Sequence, residues 1–139
     1  MARMLRFTGW SLLAIIALSF TCTAIVMAQG GVTEAKPKYA IKEVMKGAHV
    51  PAKQGEKSLR DIVLGGKATP EQKQQLLDFY ISLAENEPPK GDKEAWAKKT
   101  SAVVLGAAMI VVGRENGIDA LKKATVCAEC HRDHKPPAQ

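Results

Sequence analysis

From Lys38 onwards, apolar side chains recur at three- and four-residue intervals, the spacing of one face of an α-helix, and no run alternates with the two-residue rhythm of a strand. The pattern predicts a first helix from Lys38 to about His49, with Ile41, Val44, Met45 and Ala48 on one face and Pro51 as its stop. Pro51 to Glu56 reads as a loop. Leu59, Ile62, Val63 and Leu64 predict a short helix or turn closed by Gly65-Gly66. The next start is the most sharply marked in the chain. Thr69 suits the N-cap, Pro70 the first helical position, and Gln72 completes a capping box. Leu76, Leu77, Phe79, Tyr80, Leu83 and Ala84 form the stripe behind it, and Pro88-Pro89 ends it.

A third long helix is predicted from the cap Asp92 to Gly113, carrying Trp96, Thr100, Val103, Val104, Ala107, Ile110 and Val111 inward. The last is predicted as one helix from about Ile118 to His134, with Leu121, Ala124, Cys127, Ala128 and His131 on its face and Pro136-Pro137 as its stop. None of these stripes is wide enough to be buried all round. Packing them together removes them from water, so the expected fold is all-α, an antiparallel four-helix bundle over residues 38–139.

The first 28 residues read differently. Arg3 and Arg6 give a positive start, an apolar run from Trp10 to Phe20 follows, and Val26-Met27-Ala28 places a small residue before Gln29. Residues 1–28 are therefore expected to be a signal peptide, and the protein periplasmic or otherwise exported. Apolar character continues through Ala24, Ile25 and Val26, so membrane attachment is expected only where the leader stays uncleaved. Lipidation at Cys22 is disfavoured by the Ser19-Phe20-Thr21 approach. Residues 29–37, with Gly30, Gly31, Thr33 and Pro37, read as a flexible tether. The net charge is +6, of which Arg3 and Arg6 supply two; the +4 beyond residue 28 is spread as alternating Lys and Glu, the pattern of a solvated helical surface. No basic run with aromatic neighbours points to nucleic acid.

Chemistry enters at Cys127-Ala128-Glu129-Cys130-His131, the C-x-x-C-H haem attachment signature. Two thiols three residues apart on a helix face the same side and can join the two vinyl groups of one haem c. The adjacent imidazole of His131 then reaches the iron as proximal ligand. Three other readings compete. A thioredoxin-like pair needs a βαβ setting and a helix N-terminus, whereas the predicted last helix puts the pair near its C-terminus. Zinc held by Cys127, Cys130, His131 and His134 asks one straight helix to surround a small ion. A Cys127–Cys130 disulfide fits a regular helix poorly.

A haem motif at the end of a four-helix chain resembles the class II c-type cytochromes, the cytochrome c′ group and its low-spin relatives. The resemblance covers the layout of residues 38–139 and is specific at two places. In that class the ligand histidine is commonly followed by two residues, an aromatic, then Arg or Lys. Here His131 is followed by Arg132, Asp133, His134 and Lys135, so Lys135 fits and His134 stands in the aromatic's place. The second place is Ile41-Lys42-Glu43-Val44-Met45-Lys46, which resembles the methionine-ligated type. It implies Met45 as distal iron ligand, with a flexible core filler as the bland alternative. His49, one turn on, is the other distal candidate.

The expected function is single-electron transfer by a mono-haem cytochrome, not an enzyme. Lys122, Lys123, Arg132 and Lys135 surround the attachment segment and would steer an acidic redox partner, or simply keep the helix soluble. Relatives of that class are often homodimers. The competing functions are a five-coordinate haem open to nitric oxide or carbon monoxide, and a haem-bearing regulatory subunit of a larger enzyme.

Overall fold

In a computed structural model, which describes residues 36–137, the chain is built from helices, with no strand among the described residues. The expected leader 1–28 and the tether up to residue 35 lie outside the described residues. The elements keep the predicted order, with two changes in their bounds. α1 (Ile41–Val44) begins later than Lys38 and passes directly into a π-helical turn, Met45–His49. Val50 is extended, as the residue before Pro51 must be. α2 (Leu59–Leu64) is capped by Ser58, whose hydroxyl accepts from the Asp61 N–H at 3.2 Å.

α3 (Pro70–Glu85) starts with the predicted reciprocal box. The Gln72 N–H donates to Thr69 Oγ1 at 3.2 Å, and the Thr69 N–H donates to Gln72 Oε1 at 2.9 Å. α4 (Lys93–Val111) is capped by Asp92, which accepts from the Ala95 N–H at 2.7 Å. Such a cap contributes about 1 kcal/mol by satisfying donors that the first turn leaves open.

The predicted single last helix is corrected: it is two helices, α5 (Gly117–Ala124) and α6 (Cys127–His134). The break is made from a distance. Arg60 on α2 donates through Nε to Thr125 Oγ1 at 3.0 Å and through Nη2 to the Thr125 carbonyl at 3.4 Å. A continuous helix would aim that carbonyl at the Glu129 N–H, which instead bonds to Val126 O at 3.2 Å. Val126 takes an extended conformation, and Cys127 opens a new helix instead of lying near the end of one.

α3 packs on α4 and α4 on α5, while α1, its π turn and α2 close over α3. Their shared core holds Val44, Ala48, Val63, Leu76, Phe79, Tyr80, Leu83, Trp96, Val103, Ala107, Ile110 and Leu121. Each large member contributes roughly 1.5–3 kcal/mol through the apolar surface it removes from water. The predicted stripes of α3 and α4 are the ones buried. The predicted face of the last helix is not continuous, since Leu121 is buried but Cys127, Ala128 and His131 are exposed. No helix among the described residues is long and apolar enough to cross a membrane.

Candidate functional site

α6, which carries the C-x-x-C-H motif, stands off from the body of the fold and touches the other helices only marginally. Side chains hold it. The Lys99 ammonium on α4 donates to Glu129 O at 3.0 Å and to Asp133 Oδ2 at 3.1 Å. Arg132 and Lys99 both bond the Asp133 carboxylate, Arg132 more strongly, and lower its pKa to about 2. At the far end, His134 is 2% exposed and sets its ring edge-on against Trp96, with centroids 5.2 Å apart. His134 Nδ1 lies 3.1 Å from the Lys90 carbonyl in the α3–α4 loop. Gly91 in the same loop has φ +85°, and a Cβ there would fall 2.6 Å from Asp133 O. His134 thus supplies the packing that an aromatic at its position would supply, and adds a hydrogen bond.

Between α6 and the body lies an apolar cleft of about 220 Å³. Leu83 and Val103 form part of its floor, Val50 and Val126 stand at its wall, and Cys127, Cys130 and His131 line the α6 side. Met45 and His49 line the same cleft from the π turn. The structure therefore brings together all five residues singled out in the sequence: Cys127, Cys130, His131, Met45 and His49. The π turn is seated directly on α3, since any Cβ at Gly47 would run into the Phe79 ring. Met45 is half-buried and packs against the core, and it also lines a second depression beyond Cys130, beside Trp96 and His134.

His49 is half-buried, its ring tilted over Tyr80 at 5.8 Å between centroids. Burial, and then the nearby Arg60 charge, lower its pKa to about 4, so at neutral pH its ring is uncharged and keeps a free lone pair. Tyr80 is fully buried, and its hydroxyl has no hydrogen-bond partner. Burial pushes that hydroxyl far above its ordinary pKa, so it remains a donor. Neither the Tyr80 hydroxyl nor Arg60 stood out in the sequence. Tyr80 is one of the apolar stripe of α3, and Arg60 belongs to no motif.

Both thiols are free; Cys127 is exposed and Cys130 half-buried. The competing readings of the pair can be weighed here. Cys127 does open a helix, which removes one objection to a redox dithiol, but the all-helical setting remains. Among the described residues no three His, Cys, Asp or Glu side chains converge as a metal-ion site.

The residues that line this cleft are of the kinds that hold a covalent haem. The cleft is apolar, and both thiols, the neighbouring imidazole and two soft or neutral donors line it. At about 220 Å³ it falls below the roughly 300–1,000 Å³ of an enclosed ligand pocket. A haem held here would keep an edge in water. Lys122 and Lys123 are exposed and, with Arg60 and Asp119, line a basic hollow beside Cys127. Arg132 and Lys135 are also exposed, and Arg132 is paired with Asp133 at 2.9 Å.

No protein-family model, no curated protein and no solved structure matches this chain.

Proposed function

We propose that the chain is an exported mono-haem c-type cytochrome that passes single electrons between redox partners. In this reading it is an antiparallel four-helix bundle with C-terminal haem attachment, of the class II kind that the sequence resembles. One observation carries the proposal: the helix bearing Cys127, Cys130 and His131 lies along an apolar cleft that Met45 and His49 also line. Bound haem supplies the ferrous–ferric couple.

The chain's own residues do the rest. Cys127 and Cys130 would hold the haem, each thiol adding across one vinyl double bond with sulfur on one carbon and the proton on the other, so that no oxidant would be required. His131 gives the proximal nitrogen. Met45 is the first candidate for the sixth position, because it packs against the core close to Cys130 and His131. His49 is the alternative, held neutral and therefore able to ligate. With His131 and either Met45 or His49 held by the fold, little of the chain would rearrange when an electron moves. Leu83, Val103 and Tyr80 keep water from the buried side of the cleft. Lys122 and Lys123 favour an acidic partner at the edge nearest Cys127.

The test is the visible spectrum of the reduced holoprotein, with and without carbon monoxide, in wild type, Met45→Ala and His49→Ala. A sharp low-spin spectrum indifferent to carbon monoxide is expected, lost in the variant that removes the sixth ligand. A broad wild-type spectrum that shifts with carbon monoxide would replace electron transfer with gas binding.

A further inference from the structure

The buried histidine at the end of α6 has half of its hydrogen bonding unexplained. A carbonyl cannot donate, so the 3.1 Å contact to Lys90 O puts the proton of His134 on Nδ1. In the neutral ring Nε2 is then a bare acceptor. It is buried, in a residue 2% exposed, and finds no hydrogen-bond partner. A buried acceptor left unpaired costs about 1–3 kcal/mol. Trp96, against which the ring packs, cannot relieve it, because its indole N–H is already given to Asn86 O at 2.7 Å. A phenylalanine would fill the same place against Trp96 without this cost.

One unsatisfied donor of matching kind arises beside it when the cleft is loaded. Histidine that binds iron through Nε2 retains a proton on Nδ1, and such ligands almost always donate it to a fixed acceptor. His131 and His134 are three residues apart on one helix, hence neighbours on its surface, and both line the depression beyond Cys130. Of the other side chains there, Lys42, Lys135 and Trp96 carry only donors, and the Met45 sulfur is a weak acceptor. His134, whose buried Nε2 is unpartnered, is the one residue lining that depression whose side chain offers a strong acceptor besides His131 itself.

We propose that His134 is a positioning residue for the haem ligand: its Nε2 accepts the Nδ1–H of His131, fixing the plane of that ring and raising its basicity. The inference rests on the haem reading above. A more basic proximal imidazole favours ferric iron, so the bond lowers the reduction potential. The Lys90 carbonyl holds the other edge of His134, so the acceptor is set by the α3–α4 loop before haem arrives.

The experiment uses purified holoprotein, first checked for haem that acidified organic solvent does not extract. Wild-type chain without such haem refutes the cytochrome reading itself. With haem in place, His134→Phe keeps the packing on Trp96 and removes the acceptor. Its reduction equilibrium is expected to shift about tenfold toward ferrous iron, or about 59 mV upward for one electron. His134→Gln offers an amide donor for Lys90 and a carbonyl acceptor for His131, and is expected to restore most of the wild-type potential. A wild-type potential in His134→Phe, or a His134→Gln protein that behaves like it, overturns the inference. Where the variants do not fold, histidine-labelled wild type decides in its diamagnetic ferrous state, as the carbon monoxide adduct if the sixth position is open. A through-bond nitrogen–nitrogen coupling between His131 Nδ1 and His134 Nε2 supports the bond, and a rapidly exchanging His131 N–H without that coupling overturns it.

Discussion

Replacing Gly91 by alanine tests how α6 is held, and Gly55 provides a matched control. Both glycines have left-handed backbones, with φ of +85° and +88°. A side chain in that region costs roughly 1–2 kcal/mol. Removing a glycine from the unfolded chain gives back about 0.4–1 kcal/mol. Gly55→Ala, with nothing within 4 Å of the new Cβ, is therefore expected to lose about 1 kcal/mol or less. Gly91→Ala carries the same backbone cost and a collision, its Cβ 2.6 Å from Asp133 O and 3.0 Å from His134 Nδ1. To relieve it, α6 must withdraw from the loop. The His134–Lys90 hydrogen bond goes with it, about 1 kcal/mol, and so does the edge-on contact with Trp96, about 0.5–1.5 kcal/mol. The two variants should then differ by about 2 kcal/mol. Urea melts followed by far-ultraviolet circular dichroism measure this directly, with equal slopes showing that stability alone has changed. Equal losses in the two variants would refute the claim that α6 is clamped through the Lys90–Gly91 loop.

Other outcomes follow from the cleft walls. Because His49 is depressed to about 4 in the fold, the unfolded chain takes its proton first, so this stability is present above about pH 6.5 and lost as pH falls toward 4. Between pH 7 and pH 4.5 the loss is roughly 2 kcal/mol, and His49→Gln should flatten that part of a urea-stability profile; an unchanged slope would contradict the burial of the ring. Tyr80→Phe removes a buried hydroxyl without a protein partner, so in haem-free protein it should be neutral or stabilising by about 1 kcal/mol. A clear loss in the same melts would mean that the hydroxyl is bonded. Arg60→Met should free the Thr125 carbonyl and let α5 run on toward α6, read as added helical signal; unchanged ellipticity would argue that Arg60 does not make the break.

Much of this was legible in the chain because it is local. The caps at Thr69 and Asp92 are made by residues three positions apart, and the stripes of α3 and α4 repeat with the helical period, so both appear in the structure as read. What escaped is made by distant residues. The break at Thr125 comes from Arg60, 65 positions earlier, and no local pattern announces it. The same is true of His134. Helical spacing sets it beside His131, but only Trp96 and the Lys90 carbonyl decide that one ring is buried and the other exposed. The π turn at Met45–His49 carries no sequence signal that we can name, yet it is the segment that presents both distal candidates to the cleft.

The central claim is covalent haem on Cys127 and Cys130 beside His131, and denaturing mass spectrometry of the purified protein tests it most directly. The account requires a chain heavier by one haem that survives unfolding and acid–organic extraction, and the loss of that added mass when both cysteines are replaced by alanine. A wild-type chain at its bare polypeptide mass, isolated from cells that attach haem to a co-expressed c-type cytochrome, would contradict it.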